Sequence, residues 1–259
     1  MKKVIHFIFA LLFSLGGNAF SQCNSTPTAP NVLDGAFNKE HTPKRNFVPY
    51  TSLREADVMW SKRTWRTVDL REKINHVLYF PTSPINDRRS LFDVIKCALL
   101  TGQLTAYGSP LTDDEFKFPM TKSELEGMFS KVDTNYIPDL ETGEMIPTPV
   151  KIEIGSQDIK QYWIKEDWFF DKQRSVLDVR IIGICPLREN KGDNGEVRGY
   201  SPMFWLYYPE CRPVFANAEV YNRYNDAERR TLEDVLWLSL IHISEPTRLR
   251  RISYAVFCL

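Results

Sequence analysis

Side chains able to carry acid–base, nucleophilic or metal chemistry are few in this chain and stand apart. Away from its two ends the only histidines are His41 and His76, too far apart in sequence to suggest a pair. Glu166 and Asp167 imitate a glycosidase acid pair, but neighbouring strand positions point to opposite faces, so the two cannot flank one bond. Asp113, Asp114 and Glu115 bring acidic ligands for calcium without a loop of alternating oxygen donors, which leaves a solvated turn as the other reading. Gly192, Gly195 and Gly199 lie in a polar turn with no helix after it to hold a phosphate. There is no GxSxG elbow, HExxH helix, P-loop or dinucleotide fingerprint. The expectation is a chain with no catalytic, cofactor-binding or metal-binding residues, one that packs and docks.

The two ends read differently from the middle. Lys2 and Lys3 precede a short apolar run, and Ala19 and Ser21 stand at the −3 and −1 positions of a cleavage site. Residues 1–21 are therefore expected to be a secretion signal, with Gln22 the first mature residue. Cys23 raises a lipoprotein alternative, against which the bulky Gln22 argues. At the other end, 238–248 (LSLIHISEPTR) resembles the in-frame translation of a sequencing-library adapter, and 252–259 (ISYAVFCL) that of a flow-cell adapter. The expectation is that 238–259 is not native and that the protein continues differently past Trp237. Without Lys2, Lys3, Arg248, Arg250, Arg251 and Glu245 the balanced charge becomes mildly acidic. Nothing electrostatic then favours nucleic acid or an anionic membrane as partner. An exported chain permits disulfides, and Cys185 with Cys211 could bridge or remain two buried thiols.

Between the ends, residues 22–50 are rich in Pro, Asn, Ser and Thr and predict an extended arm. Residues 51–237 predict a single α+β domain. Leu70, Ile74 and Leu78 form a helical stripe within 52–81. Residues 87–100 predict a helix capped by Asp87, with Leu91, Val94, Ile95, Ala98 and Leu99 on its buried face and Gly102 as its stop. Arg88 and Arg89 then fall in a first turn whose dipole disfavours cations, which suggests a carboxylate partner elsewhere or a solvated pair. A short strand follows at 103–107. Thr121 and Glu124 fit a capping box for a helix over 121–132, with Leu125, Met128, Phe129 and Val132 buried. Residues 133–149, with four prolines or glycines, predict a loop, and 150–154 a strand.

The aromatic and β-branched stretch 162–186 predicts two strands joined at Asp171–Ser175. Leu177, Val179 and Ile181 should face a core, and Val176, Asp178, Arg180 and Ile182 water or a partner. Asn194-Gly195 predicts a hairpin whose return strand is 203–208. Helices are expected at 215–224 and from 226 on. The fold class is α+β, a mostly antiparallel β-meander packed with several helices.

Four blocks carry a resemblance: MWSKRTWRTVDLREKINHVLYFP (59–81), NDRRSLFDV (86–94), WFFDKQRSVLDVRIIGICP (168–186) and FWLYYPECRPVF (204–215). Together they resemble the gliding-motility family GldN, also called PorN. The resemblance implies a periplasmic component of type IX secretion that assembles with an outer-membrane lipoprotein of the GldK/PorK kind into a ring beneath the outer membrane. It also implies contact with the periplasmic part of the motor complex (GldM/PorM-like). The other class of reading is an exported cell-wall hydrolase or wall-binding protein, which needs a cleft with perturbed acids. Candidate interface residues are Trp60 and Trp65, since tryptophan is enriched at hot spots, with Arg88, Arg89, Asp178 and Arg180. Trp60 and Trp65 have a competing reading as core residues.

Overall fold

The computed structural model describes residues 45–85, 88–138, 145–192, 196–220 and 230–237, with side chains at 131–138 and 145–151 outside the description. In chain order the elements are β1 (Val58–Asp69), α1 (His76–Tyr79), α2 (Leu91–Leu100), β2 (Ala106–Tyr107), α3 (Lys122–Met128), β3 (Ser130–Pro138) and β4 (Met145–Glu153). They continue with β5 (Ile159–Asp171), β6 (Val176–Lys191), β7 (Val197–Pro202), β8 (Trp205–Tyr207), α4 (Tyr208–Ala216), β9 (Glu219–Val220), β10 (Arg230–Thr231) and α5 (Leu232–Trp237). The expected signal (1–21), most of the expected arm (22–44, with Cys23 and His41), the expected cap Asp87, the expected Asn194-Gly195 turn and residues 238–259 lie outside the described residues.

The main sheet runs β1-β5-β6-β8-β2, with β7 added to β6, and every pairing is antiparallel. The α+β class and the antiparallel sheet stand. At its centre is the expected pair β5–β6, turning at Asp171–Ser175. There the Asp171 carboxylate accepts from the Gln173 backbone N–H (2.9 Å) and from Arg174 Nε (2.7 Å), and Ser175 takes a positive φ of 53°. The hydrogen bond from Arg174 lowers the Asp171 pKa. Asp171 thus contributes stability that is present above the ordinary aspartate pKa and lost as pH falls through its depressed value. Asp171→Asn keeps the acceptor for the turn, and the fall of its urea midpoint between neutral and acid pH should be shallower than that of the parent protein.

Several elements depart from expectation. Residues 58–69, the first part of the stretch that holds the helical stripe, form a strand: Val58, Trp60, Thr64, Trp65, Thr67 and Val68 all favour extended backbone, and the thirteen-residue β5 supplies the partner. Only Leu70 and Leu78 of the helical stripe are buried, and α1 is a single turn. The cap of the helix at 91–100 lies three residues later than the expected Asp87. It is Ser90, whose Oγ accepts from the Asp93 N–H at 3.1 Å. Arg88 and Arg89 therefore precede the helix instead of occupying its first turn, and Asp93 meets the dipole there. Gly102, with φ 76°, follows its end.

The capping box of Thr121 and Glu124 is present, but that helix stops at Met128 and the chain turns into β3, so Val132 lies on a strand. Residues 133–138 and 145–149 are not a loop: they lie on the antiparallel strands β3 and β4, and 139–144 lie outside the described residues. The prolines of these strands are admitted because both strands of a two-stranded sheet are edges. The hairpin partner of β6 is β7, with Lys191 opposite Val197, and the FWLYY run forms the separate strand β8 between β6 and β2. The helix expected at 215–224 is instead α4, begun by Pro209 in its first turn, where a missing N–H costs nothing. Cys185 and Cys211 are buried thiols, not a disulfide.

Directly paired residues share a face, so the register separates two rows across the sheet. Val68, Tyr162, Ile164, Ile184, Leu206 and Ala106 form one row, all buried, in a core with Phe92, Ile95 and Leu99 of α2, Phe215 of α4 and Val235 of α5. The opposite row holds Trp65, Trp163, Lys165, Gly183, Trp205, Tyr207 and Tyr107. Of the face expected to meet the core, only Ile181 is buried. Leu177 is 53% exposed.

Candidate binding surface

The second face of the sheet is built around the loop 108–119, which leaves β2 and returns through hydrogen bonds from Gly108 N–H to Phe118 O and from Met120 N–H to Ala106 O (each 2.8 Å). Asp113 shapes the loop by accepting from the backbone N–H groups of Glu115 (3.0 Å) and Lys117 (3.1 Å). Phe116, at a positive φ of 60°, turns its ring down onto the sheet, edge-on to Tyr107, Trp205 and Tyr207 at 5.4, 6.4 and 5.5 Å between centroids. The ring fits because residue 183 is glycine: a Cβ there would stand 2.8 Å from the Phe116 ζ carbon.

Beneath the loop Lys165 is almost wholly buried. Its Nζ donates to the Asp114 carbonyl, lies 3.3 Å from the Asp114 carboxylate and sits 5.3 Å from the centre of the Phe116 ring. The same carboxylate accepts from Trp65 Nε1 at 3.1 Å, and Trp205 Nε1 donates to Pro110 O at 3.3 Å. Asp113 and Asp114 thus form a structural clip, while Glu115 is exposed to solvent. Beside it opens a cavity of about 420 Å³ lined by Trp65, Trp163, Trp205, Thr67, Pro110 and Leu111, among others.

Trp60 and Trp65 are exposed by 49% and 57%, which removes the core reading for both. They stand on β1, at the edge of the sheet and on opposite faces of it. Glu166 and Asp167 are separated as expected: Arg66 pairs with the buried Glu166 at 2.9 Å, and Arg63 grips Asp167 through two hydrogen bonds of 2.7 and 2.9 Å.

Asp178 and Arg180 are engaged within the chain. Asp178 pairs with Arg174 at 3.1 Å; Arg180 lies over the rings of Tyr50 and Phe169, each at 5.1 Å, and donates to Thr51 O. Arg88 and Arg89 are half-buried beside α2, and Arg89 Nη1 is 3.4 Å from Cys97 Sγ. The six interface candidates do not form one patch: β1 holds the tryptophans, while Asp178 and Arg180 flank the segment 48–51.

Sequence reasoning missed Arg212, a cation inside the apolar run FWLYYPECRPVF, and that incongruity was the available signal. It lies over the rings of Phe47, Tyr50 and Trp237 at 4.8, 4.2 and 4.7 Å, and its Nε is 2.7 Å from Glu233 Oε1. Glu233 Oε2 accepts from Tyr208 Oη at 2.8 Å. Burial raises the Glu233 pKa above the usual carboxylate range, opposed by the bonds from Arg212 and Tyr208. Arg45 adds an ion pair with Asp234 at 3.0 Å. The last residues of the expected arm, 45–50, are thereby bound to α4 and α5. Burial also raises both thiols, Cys185 to about 12, so neither is a thiolate near neutrality.

An antiparallel sheet with helices on one face, a clipped loop and the exposed indole of Trp65 on the other, and β1 as its open edge defines an α+β domain. The chain belongs to the GldN family: the model of the gliding motility associated protein GldN matches residues 53–242. No curated protein matches it.

Proposed function

We propose that this chain is a non-enzymatic periplasmic ring component of the type IX secretion and gliding machinery. It binds an outer-membrane lipoprotein of the GldK/PorK kind and the periplasmic part of a GldM/PorM-like motor protein, and so sits at the inner face of the outer membrane. Family membership across residues 53–242 carries this reading. The signal-like N-terminus agrees with export, and the exposed tryptophans of β1 agree with docking. Among the described residues no helix is long and apolar enough to cross a membrane, and no cluster of acids, histidines and cysteines could hold a metal.

Co-purification tests the proposal. A stable high-mass complex with the outer-membrane lipoprotein is expected; a monomer that cleaves wall fragments would favour the exported-hydrolase alternative. Charge reversal at Arg88 and Arg89 should weaken ring assembly by about tenfold or more, as expected if the pair meets carboxylates of a neighbour. Unchanged assembly of the folded double variant would remove both from the interface.

A further inference from the structure

Trp65 of β1, Trp163 of β5 and Trp205 of β8 line one cavity of about 420 Å³. That volume falls within the range of pockets that take small ligands, roughly 300–1,000 Å³. Two of the indole N–H groups are held by the loop, Trp65 Nε1 by Asp114 and Trp205 Nε1 by Pro110 O, so these rings offer an occupant π surface rather than a donor. The charged residues of the lining are both acids, Asp113 and Asp114. Asp114 is answered by Lys165 at 3.3 Å, whereas Asp113 accepts from the backbone N–H groups of Glu115 and Lys117 and makes no ion pair among the described residues. With Lys165 counted, the cavity keeps one uncompensated negative charge. Carboxylate and ring quadrupole attract the same partner, a cation. Pro110 and Leu111 add apolar surface, and Leu111, 77% exposed, carries it out toward solvent.

We propose that this cavity binds the cationic side chain of a lysine or arginine presented by a partner protein. Lysine and arginine bury a methylene stem along apolar surface and carry their charge beyond it. Here the stem lies along Pro110 and Leu111, and the head group sits among the indoles on the side of Asp113. An anionic side chain would meet the uncompensated carboxylate, and a purely apolar one would leave it without a partner.

That the cation belongs to a partner protein rests on the assembly reading above; the cavity itself does not. The full chain is titrated with Nα-acetyl-lysine methylamide, with its arginine counterpart and with its norleucine counterpart, which has the stem and no charge, while indole emission is followed. The expected result is a saturable change with both cationic amides and a response about tenfold weaker with norleucine. Asp113→Asn, which keeps a side-chain oxygen for the loop, and Trp163→Leu should each weaken lysine-amide binding by about tenfold. Unchanged affinity in both variants overturns the site. Equal affinity for the lysine and norleucine amides makes the cavity an apolar pocket and overturns the cation. Saturation by choline at a lower concentration than either cationic amide overturns the choice of a protein side chain. No response to any amide, in a chain that still forms a complex with the outer-membrane lipoprotein, overturns the site and leaves the assembly reading standing. Binding of the lysine amide by a chain that forms no such complex upholds the cation site and overturns the assembly reading alone.

Discussion

Arg212→Ala is expected to lower stability by about 3–5 kcal/mol, the usual cost of removing one partner from a buried ion pair. The side chains of Arg212 and Glu233 are only 2% and 6% exposed, so the substitution strands a carboxylate away from water. It also removes the cation on which Phe47, Tyr50 and Trp237 converge. With Arg212 gone, the Glu233 pKa, already raised by burial, rises further. A carboxyl group whose folded-state pKa is raised contributes stability that is present below its unfolded pKa and lost as pH rises through the folded value. The deficit of the variant should therefore be smaller in acid and grow toward neutrality. Urea midpoints across that range measure it, and a deficit independent of pH would show that Glu233 is not the group left uncompensated. Arg212→Met with Glu233→Gln keeps an acceptor for Tyr208, removes the stranded charge and should recover part of the loss at neutral pH. Faster amide exchange at 45–50 in the single variant would show the segment released.

Gly183→Val has the second large effect, about 1–3 kcal/mol, and bears on binding. The Cβ of an alanine would already stand 2.8 Å from the Phe116 ring and 3.3 Å from Leu206 O, and valine adds two methyl groups. The backbone contact cannot yield, so the ring must leave. Its departure lifts the loop 108–119 from Lys165 and breaks the bond between Trp65 Nε1 and Asp114. Indole fluorescence should change as Trp65 and Trp205 lose their fixed partners. Phe116→Ala in the same chain vacates the space, and stability should then match that of Phe116→Ala alone. A Gly183→Val protein as stable as its parent, with unaltered fluorescence, would contradict the role given to this contact.

Much of this molecule is legible locally. The pair β5–β6 follows from dense β-branched and aromatic residues with one polar break, and α3 from the spacing of Thr121 and Glu124. The family follows from four idiosyncratic blocks. Each signal lies within a few residues, where propensity and capping act. Pairing partners are not local. Residues 58–69 carried no strand reading because the only periodic signal in 52–81 was the three-residue stripe from Leu70 to Leu78, and only β5, about a hundred residues on, supplies the other half of the ladder. Residues 133–138 and 145–149 were misread as loop because prolines count against a strand until the sheet is known to have just two.

The sequence by itself determined the secretion-like start, the scarcity of reactive side chains and the antiparallel α+β class, since each depends on residue type and short-range spacing. Only the tertiary structure decided which tryptophans face water, that Asp114 holds Lys165 and Trp65 together, and that Arg212 joins residues 45–50 to α5. Those contacts link residues dozens to more than a hundred and fifty positions apart, and their energies come from burial that exists only once the sheet and helices have closed around them.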